Sequence, residues 1–213
     1  MKAPRQAAEG PAGDVGAAAR GLGATILAPD TTAVILQAAS LLLDYPGQSC
    51  DEDLAVVQAA LAELAHDSAR RRLERFLEWW LDLSAAERER TYVATFDLDR
   101  DVSLYLTEGK PRTSRERGAA LLELRQAYRR EGAVVACDEL PDYAPLMLEV
   151  AAHVPPCRVL LAAERPALRD LAAKLDERRS PFALVVTAVL VVLKEAGDAR
   201  PEPSAASRAG DRT

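Results

Sequence analysis

Residues 180–193 read SPFALVVTAVLVVL, and whether this run is a strand or a helix decides the fold. Its valines speak for a strand. The length from Phe182 to Leu193 speaks for a helix, and Ser180 followed by Pro181 supplies a cap and a first-turn proline. No other segment alternates apolar and polar residues, so a lone strand would find no partner. The run is expected as a buried central helix, and being apolar all round it must be enclosed by others. It is too short to span a membrane, which takes roughly 20 residues.

Helix signals recur on the amino-terminal side of this run. Asp30 or Thr31 caps a helix carrying Val34, Ala38, Leu41 and Leu42 that stops before Pro46. Ser49 with Glu52 makes a capping-box pattern ahead of Leu54, Val57, Leu61 and Leu64. Leu73, Phe76, Leu77, Trp80 and Leu81 form a stripe in which one of the adjacent Trp79 and Trp80 faces the core and the other leans outward. Ser84 with Glu87 precedes Tyr92, Val93 and Phe96; Thr113 with Glu116 precedes Leu121, Leu124 and Tyr128, and Gly132 stands where a helix C-cap belongs. Tyr143, Met147, Val150 and Val154 make a stripe ended by Pro155 and Pro156, and Leu168, Leu171 and Leu175 make another. The expected fold is all-α: a single helical bundle of seven or eight helices over residues 29–196. Residues 1–28 and 197–213 are poor in large apolar side chains and are expected to be mobile tails.

Composition narrows the function. Asp and Glu outnumber Lys and Arg 33 to 27, a net charge of -6, which disfavours nucleic acid and favours an encounter with cationic peptides. Cys50, Cys137 and Cys157 are scattered and odd in number, which argues for a reducing compartment, and no secretion-signal pattern opens the chain. A cytoplasmic protein without stable membrane insertion is expected. His66 and His153, the two histidines, have no metal-ligand spacing, and no phosphate loop or nucleophile elbow occurs. An enzyme would need convergent titratable groups, such as a polar cavity around His153 and Cys157. Asp97, Asp99, Asp101 and Glu108 match four ligand positions of a calcium-binding loop, but Val102 stands where the turn calls for glycine. The calcium reading is set aside for that reason and kept as an alternative regulatory role.

Four stretches are more specific: LLLDYP (41–46), YVATFDLDRDVSLYLT (92–107), RERGAALLELRQAYRREG (115–132) and DELPDYAPLMLEVAA (138–152). In this order and spacing they resemble the nitrate reductase delta-subunit, or NarJ-type, assembly chaperones, relatives of the TorD/DmsD-type chaperones for molybdenum oxidoreductases. The resemblance spans roughly residues 33–193. It implies a TorD/NarJ-like bundle that is not an enzyme. It also implies a cytoplasmic chaperone that binds the catalytic (alpha) subunit of respiratory nitrate reductase, notably its amino-terminal peptide. Such a chaperone holds no cofactor permanently and assists insertion of the molybdenum cofactor, molybdopterin guanine dinucleotide, before the client docks at the membrane. Related chaperones often carry His after the Pro-Asp pair where this chain has Tyr143, a side chain that does not titrate near neutral pH.

The candidate peptide-binding residues lie in these stretches. Between predicted helices, Phe96, Leu98, Val102, Leu104, Tyr105 and Leu106 make an unusually apolar connection, which either packs on the bundle or serves a partner. Asp97, Asp99 and Asp101 would edge that surface with negative charge. Arg117 opens the next helix beside Gly118. Asp142 and Glu149 would share a face if one helix carried both, lining a groove with Tyr143 and Met147; alternatively Glu149 pairs with a buried arginine.

Overall fold

In the computed structural model the described residues are 30–47, 50–99, 101–108, 113–135 and 137–198. The tails expected over 1–28 and 197–213 lie outside them, except that the last helix reaches Asp198; Ser49 of the expected capping box and Pro111 also lie outside. The described residues are all-α, with nine α-helices and no strand. These are α1 (Thr31–Leu43), α2 (Cys50–Ala62), α3 (Ser68–Leu81), α4 (Ala85–Tyr92), α5 (Ser114–Arg130), α6 (Ala144–His153), α7 (Arg158–Ala163), α8 (Arg165–Glu177) and α9 (Phe182–Asp198). The unexpected member is α7, one and a half turns long, which follows a 3₁₀ turn at Pro155–Cys157. No helix among the described residues is long and apolar enough to cross a membrane.

Local chemistry sets the helix ends. The Asp30 side chain caps α1 by accepting from the Ala33 N–H at 3.2 Å, and Asp67 does the same for α3 through Arg70 at 2.8 Å. Of the three expected capping boxes, the two that lie within the described residues form: Glu87 accepts from the Ser84 N–H at 2.9 Å, and Glu116 from the Thr113 N–H at 2.7 Å. Gly132, at φ 84°, ends α5 in the left-handed region. Arg179 plays the same part after α8 at φ 53°, where a side chain costs about 1 kcal/mol or more.

The long apolar run folds as α9 and packs against α1, α3 and α8, while α1 also lies along α6. Val185, Val186, Ala188, Val189, Val192 and Leu193 are buried. Enclosure is not complete, however: Leu184, Thr187, Leu190 and Val191 are only half-buried, so one side of α9 reaches towards the surface. Trp80 is buried and Trp79 half-buried, the division that adjacent helical positions require. Ser40 donates to the Pro145 carbonyl at 2.8 Å, a buried tie between α1 and α6.

Between Tyr92 and Leu98 the helix widens into a π turn, in which the Leu98 N–H reaches the Val93 carbonyl at 3.1 Å. That turn delivers the chain into the connection leading to α5. The connection does not float. Leu106 N donates to the Asp142 carbonyl at 3.0 Å and Ala144 N to the Leu104 carbonyl at 2.7 Å, an antiparallel bridge centred on Tyr105 and Tyr143.

Candidate functional site

The four stretches that carry the family resemblance meet around this bridge. Asp142 has no exposed surface, and its Oδ2 accepts from the Thr107 hydroxyl at 2.6 Å and the Thr107 N–H at 3.3 Å. Arg117 of α5 brings Nη2 to 3.6 Å from the same oxygen and Nη1 to 4.0 Å from Glu108. Asp142 Oδ1 and Arg117 Nε are buried with no hydrogen-bond partner among the described residues. The cluster is therefore only partly satisfied, which is costly away from water. Tyr128 of α5 holds the other side of this turn by donating to the Pro141 carbonyl at 2.8 Å.

A second cluster joins the first stretch to the others. Tyr143 donates to Asp44 at 3.1 Å, its hydroxyl lies 3.2 Å from that of Tyr92, and Tyr92 lies 3.1 Å from the Leu43 carbonyl. Two phenolic protons serve these three contacts, so only two are hydrogen bonds at a time. Burial, reinforced for Tyr143 by the neighbouring phenol and Asp44, pushes both phenols well above the usual tyrosine range. Tyr143 thus stays a neutral hydroxyl at every physiological pH, as its identity leads one to expect.

Placed on this frame, the expected peptide-binding residues separate. Val102, Leu104, Leu106 and Met147 are buried, so most of the apolar connection packs on the bundle, which was one of its two readings. Phe96, Tyr105 and Tyr143 are half-buried; Phe96 packs on Tyr92 and Phe182, and the rings of Tyr105 and Tyr143 stand 5.4 Å apart. Leu98 stays 75% exposed. Asp97 is exposed, whereas Asp99 and Asp101 are both engaged by Arg178 from the end of α8. That guanidinium, through its hydrogen bond first, holds the Asp99 carboxyl below the usual carboxylate range. Asp142 and Glu149 do not share a helix face: α6 begins at Ala144, so Asp142 precedes it, buried, while Glu149 is exposed.

Two of the three aspartates of the would-be calcium loop, Asp99 and Asp101, are thus engaged by Arg178, with Glu108 hydrogen-bonded to Ser103 and Val102 packed inside. No group of three or more His, Cys, Asp or Glu placed to hold a metal occurs among the described residues. Burial raises the thiols of Cys50 and Cys157, which makes them poor nucleophiles.

One feature escaped the sequence reading. Between α1, α2 and α6 lies an open apolar groove of about 230 Å³, lined among others by Val34, Gln37, Leu41, Val56, Ala60 and His153. Its signal in the sequence is the uncharged run LAVVQAALA at 54–62, whose outer positions Ala55, Val56, Ala59 and Ala62 are exposed. A smaller recess of about 80 Å³ lies under the first stretch, between Tyr45, Pro46, Cys50 and Trp80.

Residues 63–188 match the protein family described as nitrate reductase delta subunit. The chain is 31% identical over 166 residues to the probable nitrate reductase molybdenum cofactor assembly chaperone NarJ of Bacillus subtilis, covering 77% of this chain and 90% of that protein. It is 30% identical over 164 residues to the nitrate reductase molybdenum cofactor assembly chaperone NarJ of Escherichia coli, covering 75% of this chain and 69% of that one. The nitrate reductase-like protein NarX of Mycobacterium tuberculosis is 36% identical over 164 residues, 73% of this chain but 24% of that longer protein.

Proposed function

The chain belongs to the nitrate reductase delta subunit family, and from that premise we propose that it is an assembly chaperone for a respiratory nitrate reductase rather than an enzyme. Its client is the catalytic subunit, engaged in part through that subunit's amino-terminal peptide and kept competent for molybdenum cofactor insertion before membrane docking. The cofactor is cargo of the client and is not held by the chaperone. The action is cytoplasmic.

The observation that carries this reading is the meeting of all four resembling stretches at one junction, where Asp44, Tyr92, Arg117 and Asp142 join α1, α4, α5 and the turn before α6. The junction is a positioning device: it fixes the connection and leaves the bundle's outer faces for a partner. An acidic chain favours a client with cationic segments, so capture should weaken as salt rises.

The test is maturation itself. A host lacking its own delta-subunit protein is supplied with this chain and the cognate reductase subunits. Recovery of membrane-bound nitrate reductase activity and of molybdenum in the catalytic subunit is expected. Normal activity without the chain, or molybdenum-free subunit in its presence, would overturn the reading.

A further inference from the structure

The side of α5 that faces solvent carries one sign of charge, in a chain whose net charge has the other. Among the described side chains of this helix only Ala127 and Tyr128 are buried. It holds to the bundle by the side bearing half-buried Arg117, Leu121 and Leu124 together with Tyr128. On the opposite side, positions 115, 118, 122, 125 and 129 alternate by three and four and read Arg, Gly, Leu, Arg, Arg. Arg115, Gly118, Leu122 and Arg129 are exposed and Arg125 is half-buried. A Cβ on Gly118 would meet nothing within 4 Å, so no described element stands over this stripe. Of the helix's five arginines only Arg117 forms an ion pair among the described residues.

The helix's own needs explain only part of this charge. Arg129 and Arg130 stand in the last turn, where the helix dipole favours cations. Arg115 stands in the first turn, where the dipole favours carboxylates, and neither Arg115 nor Arg125 has a carboxylate three or four residues away on the helix. Glu116 and Glu123 lie about a quarter turn round from the stripe. Leu122 is 58% exposed at its middle, and Val134, just past the Gly132 cap, is 87% exposed. From Arg115 to Arg129 the stripe runs about 21 Å, at 1.5 Å per residue, along a convex helix. Neither recess described above reaches it.

A convex row of unpaired arginines fits a flat anionic surface, and each guanidinium fork matches the oxygens of a phosphate. We propose that this side of α5 docks the chain reversibly on an anionic phospholipid surface, with Arg115, Arg125 and Arg129 on headgroup phosphates and Leu122 turned towards the acyl boundary. No helix among the described residues is long and apolar enough to cross a membrane, so the contact is peripheral. The acidic groups on the other elements oppose it weakly, because charges more than about 8 Å away are largely screened at physiological salt. This docking is independent of the chaperone function proposed above and of the groove between α1, α2 and α6.

The experiment is co-sedimentation of the full chain with vesicles of phosphatidylcholine alone or mixed with phosphatidylglycerol. Binding is expected to the mixed vesicles only, and to fade as salt rises. Each arginine near such a surface is worth roughly fivefold in partitioning, so Arg115→Ala, Arg125→Ala and Arg129→Ala together should weaken binding by about a hundredfold. Arg71→Ala, Arg75→Ala and Arg90→Ala remove the same charge from exposed positions on α3 and α4 and should change it by less than about threefold. Leu122→Glu, at an exposed position that leaves the fold intact, should weaken it by about tenfold.

The docking proposal is overturned if the unaltered chain ignores mixed vesicles at low salt, or binds neutral ones equally well. Equal losses in the two triple variants would also sink it, since net charge and not this face would then govern binding. If the α5 variants lose affinity for soluble polyglutamate but keep it for vesicles, the partner is an acidic protein and the lipid assignment is wrong. If inorganic phosphate releases the chain more effectively than sodium chloride of equal ionic strength, the arginines form a discrete anion site and the surface assignment fails. None of these outcomes touches the maturation test of the chaperone function.

Discussion

Phe182, the first residue of α9, meets Phe96 of the π turn with ring centroids 4.9 Å apart in an edge-on arrangement. The same ring lies 5.3 Å from Trp80 and 5.1 Å from Phe76, so one side chain ties α9 to α3 and to the start of the apolar connection. Aromatic pairs of this geometry add to area burial, and Phe182 has no exposed surface. Phe182→Ala is expected to cost about 3–5 kcal/mol of stability, read from denaturant unfolding followed by tryptophan fluorescence. A loss under about 1 kcal/mol would mean that the start of α9 lies outside the cooperative core.

The carboxylate of Asp142 serves mainly as an acceptor for Thr107. Arg117 remains 30% exposed and keeps both Glu108 and solvent when Asp142 is removed, so the ion pair is not a sealed one. Asp142→Ala should therefore cost about 1–3 kcal/mol, the penalty for stranding the buried Thr107 groups. Asp142→Asn keeps an acceptor for the Thr107 hydroxyl and should cost less than half as much by urea unfolding. Equal losses in the two variants would show that charge, and not hydrogen bonding, governs the junction.

The parts legible in the sequence are those that local chemistry decides. Ser84 with Glu87, Thr113 with Glu116, and Gly132 mark helix ends because the groups they satisfy lie within a few residues. The helical reading of 182–193 needed only length and a start signal. What distant partners decide was not legible. Burial of Leu104 and Leu106 was implied by their type, but whether the bundle or a client covers them depends on residues 140–144, some 35 positions along the chain. The pairing of Asp99 with Arg178 joins positions 79 apart, with no periodicity to announce it. The charge-free run on α2 was visible as composition; that no described element covers it is a property of the tertiary arrangement. The shared face expected for Asp142 and Glu149 failed for a local reason: α6 starts only at Ala144, with Pro145 in its first turn.

Arg178 pins the connection from outside. Its guanidinium hydrogen-bonds Asp99 and stands 3.4 Å from Asp101, all three groups being open to solvent. Because Asp99 is held below its ordinary range, the tie is complete above the unfolded value near about pH 3.9 and is lost as pH falls through the lower folded value. Arg178→Ala should speed amide exchange over 101–108 at neutral pH while leaving global unfolding almost unchanged, and high salt should act in the same direction. Exchange that matches the unaltered chain would show that Asp142 and the bridge alone hold this segment.

The alkaline limit of stability should come from tyrosines. Of the five in the chain, Tyr92, Tyr128 and Tyr143 have phenols raised well above the ordinary value near 10, in each case chiefly by burial. A raised folded value means that the folded state holds its protons where the unfolded state has released them. Stability is then unaffected by these groups below about pH 10 and falls as pH rises above it. Tyrosinate absorbance from these three should appear only together with loss of helical circular dichroism, as one cooperative transition. Tyr143→Phe removes one of the three and with it the contacts to Asp44 and Tyr92, costing about 0.5–1.5 kcal/mol at neutral pH while moving the alkaline transition upward relative to that new baseline. Tyr143→His should behave oppositely, making stability pH-dependent between about 5 and 8, where an imidazole beside Asp44 gains its proton. Ionisation of all five tyrosines in a still-helical protein would contradict the buried hydroxyl cluster that joins α1, α4 and the turn before α6.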